Sequence, residues 1–254
     1  MRRRDGIAVS RRSFSPTEVL DIVATAAFLK VAETQCRNLR DYFRLIQRTS
    51  GFFRNRNLAP TQKEIEIVTF LRAASKLPIE SALEIGTGNG GTFYLLCKAA
   101  KSNANLLTVD LQNDWKKAVL FASYSKPGQK IHIIRGNSRD EKTLSRVMRA
   151  LGPRRLDLLY IDGDHSLVGV RKDFELYSRL MRPQGMVAMH DIIPDYRTRY
   201  GVVTSSHTGD VPRFWNLIKS KWKSQEFVES HDQDGYGIGM ICWDAYVRLD
   251  DPAR

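Results

Sequence analysis

Four side chains at two places in the chain have the chemistry to hold a cation and move a proton. Asp162 and His165 stand in the run Tyr160-Ile-Asp-Gly-Asp-His-Ser166, and His190 and Asp191 close the apolar stretch that begins at Met186. Carboxylate oxygens are hard ligands for a divalent cation, and water and substrate oxygens can complete its shell. An imidazole three residues beyond such a carboxylate can take a proton from a hydroxyl held there. The sequence therefore offers Asp162, His190 and Asp191 as metal ligands and His165 with Asp162 as catalytic residues. Each also has a plainer use. Asp162 or Asp164 can cap the following helix, His165 can begin it, and His190 can be a satisfied strand-end histidine.

A second group lies upstream, in Ser81-Ala-Leu-Glu-Ile-Gly-Thr-Gly-Asn-Gly-Gly91. Gly86, Gly88 and Gly91 have G-x-G-x-x-G spacing between a short apolar strand and a helical run, Thr92 to Ala100. A turn without Cβ atoms at a helix N-terminus lets a nucleotide-like ligand approach the backbone closely. Glu84, two residues before the first glycine, decides between ligands. A carboxylate at the end of a buried strand needs a partner. The ammonium group of S-adenosylmethionine would supply one, whereas a pyrophosphate would be repelled. Asp110 ends the next strand, 24 residues after Gly86, where a carboxylate can accept both ribose hydroxyls. It can equally be a helix cap or turn aspartate. Asn137 and Ser138, ending the third strand, are candidates for the adenine, although Gly-Asn-Ser is also an ordinary turn. Asn89, inside the glycine turn, and Asp162, at the end of the fourth strand, complete the candidate donor site.

Alternating patterns position these residues. Strands are expected at 82–85, 105–109, 131–134, 156–161 and 186–189, with helices at 92–100, 116–123, 143–151 and 168–180 between them. Near-continuous apolar strands alternating with helices require a parallel sheet covered on both faces. A helix at 212–223 and two late strands, near 226–229 and 237–243, finish the chain. Upstream, helices are expected at 17–31, at 39–47 and from Pro60 to before Pro78, with a loop at Arg54 to Asn57.

The glycine stretch resembles motif I of the class I S-adenosylmethionine-dependent methyltransferases. That resemblance implies a Rossmann-like, doubly wound, mostly parallel seven-stranded sheet with an antiparallel C-terminal hairpin. It also implies that the fourth and fifth strands are neighbours, which would bring Asp162 and Asp191 side by side. A narrower likeness rests on Leu83 to Gly91, on Ile161 to Ser166 followed by Val170 and Asp173-Phe174, and on His190-Asp-Ile192 followed by Val211-Pro-Arg-Phe-Trp215. These segments resemble the metal-dependent small-molecule O-methyltransferases, a group that includes macrolide-sugar methyltransferases and cephalosporin hydroxylase-like proteins. The likeness covers about residues 60–245. It places Asp162 and Asp191 on the metal carboxylates and His165 on the base. His190 stands where that group often has a glutamate. Residues 1–59 are expected to form a basic helical extension, and residues 60–254 the methyltransferase domain.

Composition sets bounds. A chain of 254 residues with 42% apolar and 27% charged residues buries one sizeable core. No apolar run reaches the roughly 18 residues of a membrane helix. Glu18 and Asp21 interrupt the stretch after Met-Arg-Arg-Arg, so no secretory signal is expected. Cys36, Cys97 and Cys242 lack metal-ligand spacing, which fits reduced thiols in a cytoplasm. Of the net charge of +12, residues 1–60 carry +7, from 12 Lys/Arg against 5 Asp/Glu. Such an arm can meet nucleic acid, an anionic membrane or an acidic partner, can join a second copy through its helices, or can be a solvated or partner-covered helical face.

Two absences narrow the reaction. No Asn/Asp-Pro-Pro-Tyr/Phe follows the fourth strand to hold a planar nitrogen, and no cysteine pair is placed to attack a pyrimidine. The leading expectation is an S-adenosylmethionine-dependent O-methyltransferase acting on a small-molecule hydroxyl with Mg2+ or another divalent metal. Its alternatives are an RNA 2'-hydroxyl methyltransferase using the basic arm, and a non-catalytic binding protein of the same fold. Phe52, Phe53, Trp215 and Trp222 are candidates for an acceptor pocket or, more plainly, for core.

Overall fold

In the computed structural model, seven strands make one sheet: β1 (Ser81–Ile85), β2 (Asn105–Asp110), β3 (Lys130–Arg135), β4 (Leu156–Ile161), β5 (Met181–His190), β6 (Ser224–Phe227) and β7 (Ile238–Cys242). The structure describes residues 16–49, 58–113, 115–247 and 249. Expectations for residues 1–15, for Phe52 and Phe53, and for the loop at 54–57 fall outside them. The strand order is β3-β2-β1-β4-β5-β7-β6. Pairings from β3 to β5 are parallel, and β7 runs antiparallel to both β5 and β6. This is the Rossmann-like, doubly wound arrangement with an antiparallel C-terminal edge.

The helices are α1 (Pro16–Ala32), α2 (Leu39–Thr49), α3 (Glu64–Ala74), α4 (Gly91–Ala99), α5 (Trp115–Ala122), α6 (Glu141–Leu151), α7 (Leu167–Tyr177), α8 (Tyr196–Tyr200) and α9 (Val211–Lys219). They cover both faces, which explains why β1 and β4 are buried along their whole length. Side chains alternate between two cores. Ala82, Leu106 and Leu158 join the cluster under the first five helices, which includes Ile22 and Leu29 of α1 and Phe43 and Ile46 of α2. Leu83, Leu107 and Leu159 face the opposite cluster with Val147, Phe174 and Trp215. Among the described residues, no helix is long and apolar enough to cross a membrane.

Helix α3 starts at Glu64 and not at Pro60, so Gln62 precedes it, and two further local features departed from the expected pattern. β5 begins at Met181 instead of near Met186, because a register irregularity against β4 takes up the intervening residues and Gln184 adopts φ 60°. The five-residue α8 has no hydrophobic period to announce it; Asp195 caps it through the Thr198 N–H, and Gly201 at φ 69° ends it.

Candidate active site

β1 is flanked by β2 on one side and β4 on the other, so the chain order reverses there and a crevice opens beyond the strand ends. The glycine turn fills that point. Gly86 has φ 86°, and a Cβ on it would lie 1.8 Å from the Asp162 carbonyl oxygen, so no side chain fits. Its N–H donates to Val109 O, and the Asp162 N–H donates to Ile85 O, fastening the turn to β2 and β4. At Gly91 a Cβ would lie 2.3 Å from Leu58 O, because the segment before α3 crosses the start of α4.

Glu84 is buried, and neither of its carboxylate oxygens has a hydrogen-bond partner. Burial raises its pKa well above the usual value, and Asp162 and Asp110 add to the rise. Such a group calls for a cationic ligand atom, and a ligand ammonium would meet that demand. Asp110 accepts from the N–H of Gly88 at 3.0 Å and of Gln112 at 2.6 Å. One lone pair on each oxygen is thus engaged by the turn, and a second on each is open to hydroxyls. Asn137 accepts from the Arg139 N–H at 3.0 Å in a local turn, and both Asn137 and Ser138 line the cleft.

At the ends of β4 and β5 the structure brings Asp162, His165, His190 and Asp191 together. Ligand atoms of Asp162, His165 and Asp191 all lie within 4.8 Å of one another. His165 Nε2 is 3.6 Å from Asp162 Oδ1 and 3.6 Å from Asp191 Oδ2. His190 Nδ1 is 3.5 Å from Asp162 Oδ1 and 3.4 Å from Asp191 Oδ1. Capping falls to another residue: Ser166 caps α7 by accepting from the Gly169 N–H, while Asp164 accepts from the Ser166 N–H and pairs with Arg139 at 3.0 Å. Asp162 is thereby left for the cleft.

Charge in this cluster is finely balanced. Burial raises the Asp162 pKa, but His190 and His165 outweigh it and hold the carboxyl below its ordinary range. Burial and repulsion from Asp162 raise Asp191, against the pull of His190. The hydrogen-bonding pull of Asp162 lifts His165 to about 9 despite burial. His165 Nδ1 meets His207 O at 2.7 Å, and a carbonyl can only accept, so Nδ1 carries hydrogen and Nε2 faces the carboxylates. Both nitrogens of the buried His190 lack hydrogen-bond partners. Two carboxylates with the His190 Nδ1 beside both fit a divalent cation, and His165 Nε2 lies against the same carboxylates.

The cleft measures about 850 Å³, enough for a donor and an acceptor side by side. It runs from the glycine turn past the Asp/His cluster to Ser205, Ser206, His207 and Tyr236. Sequence reasoning missed this far wall, which comes from loops without hydrophobic period. One signal was present: Tyr236 sits between two glycines and adopts φ 62°, and its N–H donates to Asp191 Oδ1 at 3.2 Å. Asp191 itself has φ 61°, an uncommon conformation for a non-glycine residue. Trp215 and Trp222 are core and not cleft residues, 1% and 5% exposed.

Residues 83–192 match the family model of a methyltransferase domain. An uncharacterised protein of Acanthamoeba polyphaga mimivirus is 32% identical over 122 residues, 45% of this chain. The chain spans about half the length of that relative, 52%. Among solved structures, an O-methyltransferase from Bacillus cereus in complex with S-adenosylhomocysteine aligns with a TM-score of 0.57 at 13% identity, covering 87% of this chain and 100% of that one. The MycE methyltransferase of the mycinamycin biosynthetic pathway, in complex with Mg and S-adenosylhomocysteine, aligns with a TM-score of 0.53 at 15% identity, covering 85% and 56%. Residues 83–192 thus resemble a methyltransferase domain, and the sheet has the fold of these solved structures.

Proposed function

We propose that the protein transfers a methyl group from S-adenosylmethionine to a hydroxyl of a small molecule such as a sugar or polyketide, with a divalent cation held at Asp162 and Asp191. One observation carries the reading: two carboxylates and two imidazoles converge at the strand ends beside a glycine turn whose buried Glu84 lacks a partner. Fold neighbours whose structures contain S-adenosylhomocysteine, and in one case Mg, support the same choice of ligands. S-adenosylmethionine supplies an electrophilic methyl carbon on a sulfonium, and a divalent cation lowers the pKa of a hydroxyl that it holds.

The chain's own residues do the rest. Glu84 meets the ammonium, Asp110 accepts ribose hydroxyls through its open lone pairs, and Asn137 and Ser138 flank the base. The acidic cluster of Glu84, Asp110 and Asp162 favours a cationic donor over the neutral thioether left after transfer. Asp162 and Asp191 hold the cation, with His190 beside both. His165, its Nδ1–H tied to His207 O, directs Nε2 into the cleft. The two carboxylates keep it protonated, and with their charge taken up by a cation it would lose that proton and serve as base for the acceptor hydroxyl. Alignment of donor and acceptor in one cleft supplies most of the remaining rate.

The test has three parts. Calorimetry should show S-adenosylhomocysteine binding, and preference for NAD would overturn the donor site. Turnover on a panel of sugar and polyketide alcohols should need Mg2+ or Mn2+ and stop with chelator; full activity after chelation would remove the metal. His165→Ala should leave donor and Mn2+ binding within about threefold and lower kcat about a hundredfold or more.

A further inference from the structure

Asp162 uses its two oxygens differently. Oδ1 faces the imidazoles of His165 and His190, whereas Oδ2 accepts a hydrogen bond from Gln62 Nε2 at 2.8 Å. Gln62 lies on the segment that crosses the start of α4 and is 3% exposed. Its other end is fixed too, since Thr92 Oγ1 donates to Gln62 Oε1 at 2.5 Å. A flipped amide would set its oxygen against a carboxylate oxygen, so the hydroxyl on one side and the carboxylate on the other select one orientation.

We propose that Gln62 is a positioning residue that fixes the rotation of the Asp162 carboxylate and presents Oδ1 to a divalent cation. Thr92 acts through it, linking the helix that starts at the donor site to the metal site. The inference rests on the metal reading above and adds a supporting residue from outside the matched domain, which begins at residue 83. Hydrogen bonds to the ligating groups orient them, and their loss typically costs about 10–100-fold in metal affinity. Gln62→Met keeps the length of the side chain and removes both polar ends.

Mn2+ affinity of the purified full chain, read by the paramagnetic resonance of free Mn2+, tests this beside S-adenosylhomocysteine calorimetry and thermal melting. Gln62→Met should bind Mn2+ about tenfold or more weakly. Its S-adenosylhomocysteine affinity should stay within about twofold and its melting temperature close to wild type. Thr92→Val should weaken Mn2+ in the same direction, and Thr92→Ser should restore it. Wild-type Mn2+ affinity in Gln62→Met overturns the inference and leaves the metal site standing. A loss of Mn2+ and S-adenosylhomocysteine affinity together, in step with a lowered melting temperature, also overturns it, because Gln62 would then be structural only. A wild-type chain that binds no Mn2+ removes the metal reading and this inference with it.

Discussion

Asp162 and Asp191 hold like charges close together because two imidazoles lie against them, and a cation would make the arrangement more favourable still. Asp173 faces the opposite situation. It is fully buried on α7 beneath Gly163, and burial lifts its carboxyl pKa to about 6; the Ser138 hydroxyl and Arg139 pull it down and Asp164 pushes it up. Folded Asp173 keeps its proton to about pH 6, whereas an ordinary aspartate releases it near 3.8. Between these values the folded state binds more protons, so its stability falls as pH rises, and the deficit is complete above pH 6. Asp173→Asn carries no such charge. It should match wild type near pH 4 and exceed it at pH 7 by about 2–3 kcal/mol in urea unfolding. Equal stability at both pH values would show that Asp173 is satisfied as an anion.

At the scale of elements, the parts of the site that lie on periodic structure were legible in the sequence. β1, β4 and β5 end in Glu84-Ile85, Asp162 and His190-Asp191, and strand order alone brings those ends together. The loops were not legible. Gln62, Ser205 and Tyr236 owe their places to non-local contacts, and only the glycines on either side of Tyr236 give a local sign of one of them. The same holds for the contact between the N-terminal helices and α4. Lys98, its side chain 1% exposed, pairs with Glu33 at 2.6 Å and donates to Tyr124 O at 2.7 Å. Burial lowers its pKa, and Glu33 pulls it back up. Breaking a buried pair leaves a charge without compensation, whereas replacing both partners with apolar groups is often neutral. Glu33→Leu should therefore cost about 3 kcal/mol or more, and the double variant Glu33→Leu/Lys98→Met should recover most of it. Urea unfolding of both variants checks this; a double variant as unstable as the single one would mean that the pair does not account for the loss.

Across the whole molecule, one face of the sheet is completed by helices from outside the matched domain. Ile22, Leu29, Phe43 and Ile46 are each at most 3% exposed and pack in one cluster with Tyr94, Leu95 and Phe121. Burying a large apolar side chain contributes about 1.5–3 kcal/mol, so these four supply roughly 6–12 kcal/mol. That is comparable with the entire net stability of an ordinary domain, about 5–15 kcal/mol. We therefore propose that the division at residue 59 separates an accessory segment by sequence, but that α1, α2 and the sheet unfold together. Calorimetry of the full chain should give a single transition whose van't Hoff and calorimetric enthalpies agree. A chain lacking residues 1–49 should lose S-adenosylhomocysteine binding along with its fold, since α3 and α4 would be uncovered. The outcome that would sink the proposal is a truncated chain that stays folded and keeps wild-type S-adenosylhomocysteine affinity. The helices would then be a separable module, and their basic charge would have to be explained by a partner.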